Sequence, residues 1–134
     1  MEVERILVAV FKDFLRNKQF DKAEYMAPYM ESGEWTLGHS LDGAYLDYLR
    51  TVIAKGDLDK AETFFRERTV SKSWNSFSNL VEGLSICLTA LLKAGEVEKA
   101  KAFSLEFPQE DDYEARTLEE EVRKVFYIYG PRKE

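Results

Sequence analysis

Three short segments of this chain carry one pattern. Phe20-Asp21-Lys22-Ala23-Glu24, Leu58-Asp59-Lys60-Ala61-Glu62 and Val97-Glu98-Lys99-Ala100-Lys101 each read apolar, acid, Lys, Ala, charged. Their alanines lie 38 and 39 residues apart. Two copies follow a small turn, Lys55-Gly56-Asp57 and Ala94-Gly95-Glu96. A self-similar period in this range marks helical hairpins stacked side by side, because one hairpin alone cannot bury its apolar face. The chain has only three prolines and seven glycines among 134 residues, and strand-like alternation is scarce. An all-α fold follows.

Apolar spacing divides the chain into seven helices. The first runs over about 3–16, where Val3, Ile6, Leu7, Val10, Phe11, Phe14 and Leu15 form one face. The second starts near Asp21 and kinks or ends at Pro28. The third runs from Ser40, read as its N-cap, to about Ala54, with Asp42 in its first turn favoured by the helix dipole. Gly56 ends it. The fourth carries Leu58, Ala61, Phe64 and Phe65 inward. The fifth, from Trp74 to Leu91, is apolar on more than one face and reads as the central buried helix. The sixth carries Val97, Ala100, Phe103 and Phe107 and stops at Pro108. The last runs over about 112–127, with Leu118, Val122, Val125, Phe126 and Tyr129 on one side and Arg116, Glu119, Glu120, Arg123 and Lys124 on the other. One domain over 1–130 is expected, with pairs at about 3–31, 40–70 and 73–107 and a short tail at 131–134. The seventh helix is expected to cover the open end of the last pair, because its polar side suits solvent.

The turn-and-alanine segments resemble the tetratricopeptide-like family of helical hairpin repeats. In that family a Gly-acidic turn precedes an apolar-x-x-Ala helix start. The resemblance implies a right-handed stack of three antiparallel helix pairs, an α-α superhelix, with a C-terminal capping helix. Two departures stand out. The family repeat is near 34 residues. It also places a small residue about twelve before the alanine, where this chain holds Phe11, Leu49 and Leu88. The segment Leu91 to Ala100 is also similar to pentatricopeptide repeats, which are related in shape and bind RNA.

Chemistry-bearing constellations are few. His39 is the only histidine and Cys87 the only cysteine. A lone histidine supports neither a metal site of ordinary composition nor a His-based triad without strong partners. Cys87 lies in an apolar run and reads as a small buried hydrophobe. The sequence has no Gly-rich phosphate loop and no Gly-x-Ser-x-Gly elbow. The acidic runs at 110–112 and 119–121 read as a helix start and a solvated face. The expectation is no enzyme, no cofactor and no metal. A net charge of −6 argues against general nucleic-acid binding. The N-terminus lacks a signal-peptide pattern and no apolar run reaches the ~20 residues of a membrane span, so a cytoplasmic protein is expected.

Binding is the function class the resemblance implies. In tetratricopeptide-like stacks the first helix of each pair lines a concave groove. Carried onto this chain, the groove side holds Arg5, Lys12, Arg16, Arg50, Ser85, Thr89 and Lys93. Five of these seven are basic in an acidic chain, which suits a protein or peptide partner rich in carboxylates. The bland alternative is solvated cations near helix C-termini, which fits Arg16 and Lys93. Two other readings are single-stranded RNA binding in a pentatricopeptide-like manner and a homo-oligomer that buries an open face. Tyr45, Tyr48 and Trp74 read as core. Trp35, in a Gly-flanked loop, is either a plug between the first two pairs or an exposed anchor.

Overall fold

A computed structural model describes the backbone of residues 2–32, 38–70 and 74–131, and their side chains except at 2–5, 31–32 and 38–40. Among the described residues the chain is all helical. Its elements are α1 (Glu2–Arg16), α2 (Phe20–Ser32), α3 (Gly38–Ala54), α4 (Leu58–Val70), α5 (Phe77–Lys93), α6 (Val97–Ser104) and α7 (Asp112–Tyr129). Three helix pairs joined by short turns are in contact, α1 with α2, α3 with α4 and α5 with α6, and α4 also packs on α5. Contacts also define one row, in which α1 packs on α3, α3 on α5 and α5 on α7. The fifth helix touches α3, α4, α6 and α7, which explains why its sequence is apolar on several sides.

The three pairs close through one turn repeated three times. Gln19 N donates to Phe14 O at 2.7 Å and Lys18 N to Leu15 O at 3.0 Å. The same two bonds recur as Asp57 N to Val52 O and Gly56 N to Ile53 O, both 2.9 Å. They recur again as Glu96 N to Leu91 O at 2.9 Å and Gly95 N to Leu92 O at 3.0 Å. This pattern satisfies two orphan carbonyls and needs one left-handed residue just past the helix. Gly56 (φ 93°) and Gly95 (φ 80°) supply it without cost, whereas the first turn uses Lys18 at φ 58°. The following helix then begins on Asp57, whose Oδ1 accepts from Lys60 N at 3.1 Å.

The repeated segments explain themselves in three dimensions. Ala23, Ala61 and Ala100 are fully buried. The charged positions beside them form a ladder between successive pairs. Lys60 of the second segment meets Asp21 of the first at 3.4 Å, and Lys99 of the third meets Asp59 of the second at 3.4 Å. Lys60 also reaches Glu24 at 3.3 Å, and Glu24 accepts from the Tyr48 hydroxyl. Burial disfavours the Lys60 charge, but the Glu24 and Asp21 carboxylates outweigh it and raise its pKa above the ordinary value. Burial, and then Glu24, also push the Tyr48 phenol up. Phe11, Leu49 and Leu88, each twelve residues before one of these alanines, are all buried.

A chain of aromatic rings fills the core. Tyr48 stacks on Phe64 at 4.0 Å, Tyr45 meets Phe64 and Trp74 edge-on, and Phe65 touches Trp74, Phe103 and Phe107. Such pairs add about 0.5–1.5 kcal/mol each beyond their burial. Gly83 allows α5 to approach α4, since a Cβ there would stand 2.8 Å from the Phe65 ring. The buried guanidinium of Arg68 lies over the Phe64 ring at 5.1 Å.

Several boundaries differ from the sequence expectation. The second helix runs on through Pro28 to Ser32, and burial of Ala27 and Met30 on either side holds that path. The third begins at Gly38, so Ser40 stands inside its first turn and is not the cap. Trp74 precedes α5 instead of opening it. The sixth helix ends at Ser104, and Phe107 is buried in the connection that follows. Phe107 precedes Pro108, whose ring disfavours helical geometry at the residue before it. The acidic turn does lead into the last helix, and Asp111 caps it, its Oδ1 accepting from Glu114 N at 2.9 Å. Trp35 and the side chains of Arg5 and His39 lie outside the described residues.

Asp42 does a different job from the dipole role expected of it. It is completely buried and its carboxylate crosses to the start of α5. It accepts from the backbone N of Asn75 at 3.0 Å, from Ser76 N at 3.1 Å and from Asn79 Nδ2 at 2.8 Å. Ser76, the residue at the cap position, makes no side-chain cap bond, so an acid of α3 caps α5 in its place.

Candidate functional site

The third and fourth turns of α1 place Lys12 and Arg16 on one flank, one helical turn apart. The middle of α3 places Asp47, Arg50 and Thr51 opposite them. The turn after α1 adds Lys18. Together with Leu15 these residues line a shallow hollow of about 360 Å³ between the first two pairs. Leu15 is buried and forms its apolar floor.

Four cations and one carboxylate therefore face a common space. Asp47 lies 3.9 Å from both Lys12 and Arg50. Arg50 Nη2 also donates to Glu82 of α5 at 2.7 Å, which ties α3 to α5. Arg16 pairs with Asp13 at 3.1 Å. Every one of these pairs is solvent-exposed, so each is worth no more than about 1 kcal/mol and exchanges readily for a competing anion. The hollow can offer guanidinium forks and ammonium groups to carboxylates from outside.

Of the seven residues expected to line a groove, the structure brings Lys12, Arg16 and Arg50 into this hollow. Ser85 and Thr89 are half-buried on α5 and do not line it. Lys93 is turned to the far end, where its Nζ lies 5.1 Å over the Tyr129 ring of α7. The Arg5 side chain is outside the described residues. Sequence reasoning missed Lys18, Asp47 and Glu82. Lys18 carried a usable signal, because it occupies the turn position held by glycine in the other two copies. Asp47 had a weaker one, its i, i+3 spacing from Arg50.

Elsewhere the chemistry is sparse. Cys87 is buried at the seam between α4 and α5, and burial pushes its thiol well above the ordinary range. Among the described residues no group of three or more His, Cys, Asp or Glu side chains could hold a metal ion. Among the same residues no helix is long and apolar enough to cross a membrane. Comparison with protein-family models, with curated proteins and with solved structures finds no match to this chain.

Proposed function

We propose that the chain is a degenerate tetratricopeptide-like stack of three hairpins, with α7 as its capping helix, that works as a protein-interaction module for an acidic peptide segment. The row α1, α3, α5, α7 and the three equivalent turns support the stacked reading. The observation that carries the function is the convergence of Lys12, Arg16, Lys18 and Arg50 on one hollow in a chain of net charge −6. Clustered cations on one surface give the positive potential that complements an acidic ligand. The last helix packs on α5, and neither it nor any of its residues lines the hollow.

The test is fluorescence anisotropy with a short, labelled Glu-rich peptide and a neutral peptide of the same length. Binding of the acidic peptide alone is expected, weakening steeply with salt. Combined Lys12→Glu and Arg16→Glu reversal should weaken it by at least ~10-fold. Unchanged affinity in that variant, or equal binding of the neutral peptide, overturns the reading.

A further inference from the structure

The opposite flank of α1 presents a second surface, with different chemistry. Val10 and Phe14 of α1 and Tyr25 and Tyr29 of α2 line an apolar hollow of about 490 Å³, with Asp21 and Lys22 as its charged members. It lies away from the row, because α1 uses its other face, Phe11 and Leu15, to pack toward α3. Tyr25 is 72% exposed and Tyr29 59%, and Ile6, one turn before Val10, is 57% exposed. The two tyrosine rings lie side by side, 5.4 Å between centroids, and give a small apolar contact surface.

The charge ladder says what kind of surface it is. In the second and third segments the motif lysine meets an acid of the preceding pair. Lys22 is the motif lysine of the first segment. Among the described residues it meets no such acid and lies instead over the Phe14 ring at 5.9 Å. The adjacent Asp21 side chain is 95% exposed, although it touches Lys60. One surface thus carries an apolar centre, an exposed cation and an accessible acid beside it. That combination is self-complementary.

We infer that this face binds the same face of a second copy of the chain, forming a two-fold dimer in which Asp21 of each copy meets Lys22 of the other. A two-fold contact needs one patch that complements itself, and it closes without growing into a filament. Head-to-tail growth would instead press the tyrosines onto α7. The outward stripe of α7 is Arg116, Glu119, Glu120, Arg123 and Lys124, all exposed, with Tyr113 and Tyr127 toward its ends. Burying those charges without partners is unfavourable. The two tyrosines leave on the order of 250 Å² of ring exposed, well below the roughly 800 Å² per partner of a tight complex. The dimer is therefore weak, with a Kd on the order of 100 µM. This inference does not depend on the basic hollow, which lies on the other flank.

Sedimentation velocity on the whole chain, from about 5 µM to about 1 mM, tests it. The sedimentation coefficient should rise with concentration toward that of a dimer. Tyr25→Glu and Lys22→Asp should each weaken dimerisation by at least ~10-fold, with far-UV circular dichroism unchanged because both side chains are exposed. Lys22→Arg should keep it, since the charge that faces Asp21 of the other copy is retained. Tyr127→Glu should leave it intact. A monomer at every concentration overturns the inference. So does a dimer lost with Tyr127→Glu but kept with Tyr25→Glu, or one lost with Lys22→Arg.

Discussion

The two ends of the helical row arrange their exposed apolar side chains differently. At one end α7 lays Leu118 and Val125 into the molecule and turns Arg116, Glu120 and Arg123 outward along its middle, with the exposed Tyr113, Tyr127 and Ile128 set apart at its two ends. At the other end α1 and α2 bury Phe11, Ala23 and Ala27 inward but leave Ile6, Tyr25 and Tyr29 outward. The first end carries an amphipathic helix packed on α5. The second exposes the side on which a further pair would pack in a longer array. In a row of hairpins stability is shared between neighbours. The difference teaches that an apolar side chain has a value set by what lies beyond it rather than by its own type.

That contrast is open to direct attack. Leu118→Ala should cost about 3 kcal/mol, as a buried leucine does, read as a lower urea midpoint at unchanged slope. Tyr25→Ala, an aromatic deletion of larger volume, should change stability by less than about 0.5 kcal/mol under dilute conditions. Equal losses at the two ends would erase the comparison.

The ladder between the ends should show itself at alkaline pH. The Lys60 pKa is raised in the folded state, so its contribution is fully present below the ordinary value of 10.5 and is lost as pH climbs through the higher folded value. The Tyr48 phenol is raised too, and its contribution likewise falls once pH exceeds the ordinary value of 10.0. Stability should therefore decline above about pH 10. Lys60→Met should cost about 1 kcal/mol at neutral pH and flatten that decline. A pH profile of Lys60→Met parallel to that of the unmodified chain would remove Lys60 from the ladder.

A modest gain belongs to the turn nearest the exposed end. Lys18→Gly relieves a left-handed lysine, worth about 1–2 kcal/mol, and concedes about 0.5–1 kcal/mol to the freer unfolded chain. A gain of about 0.5–1 kcal/mol in denaturant unfolding is expected. A loss would mean that the lysine side chain contributes to the hollow's packing.

What the sequence made legible follows from how local each determinant is. Gly56 and Gly95 announced their turns because glycine is the residue that adopts positive φ freely. The first turn was harder to read because Lys18 adopts the same geometry without that signature. The stripe that placed Tyr45 and Tyr48 in the core was readable from spacing along one helix. The partners of Asp42 lie 33 to 37 residues away, so its position in α3 pointed only to its own helix dipole. Phe107 looked helical by spacing, but the proline after it decided otherwise. In the basic hollow, Lys12, Arg16 and Arg50 were expected only through the resemblance to hairpin repeats, which puts the first helix of each pair on the groove side. Asp47 was not, because an acid on a helix surface looks like any solvated acid until the opposing helix is in place.

Cys87 gives the molecule an internal clock. Its thiol sits 4.0 Å from the Ala61 carbonyl, within the contact between the second and third pairs, and is shielded from water. Only a thiolate reacts with alkylating reagents, and this one forms only when the seam parts. The rate at which reagent consumes Cys87, divided by the rate for an unprotected cysteine, therefore measures how often the middle of the row opens. A chain with a single sulfhydryl reports this without any engineered label.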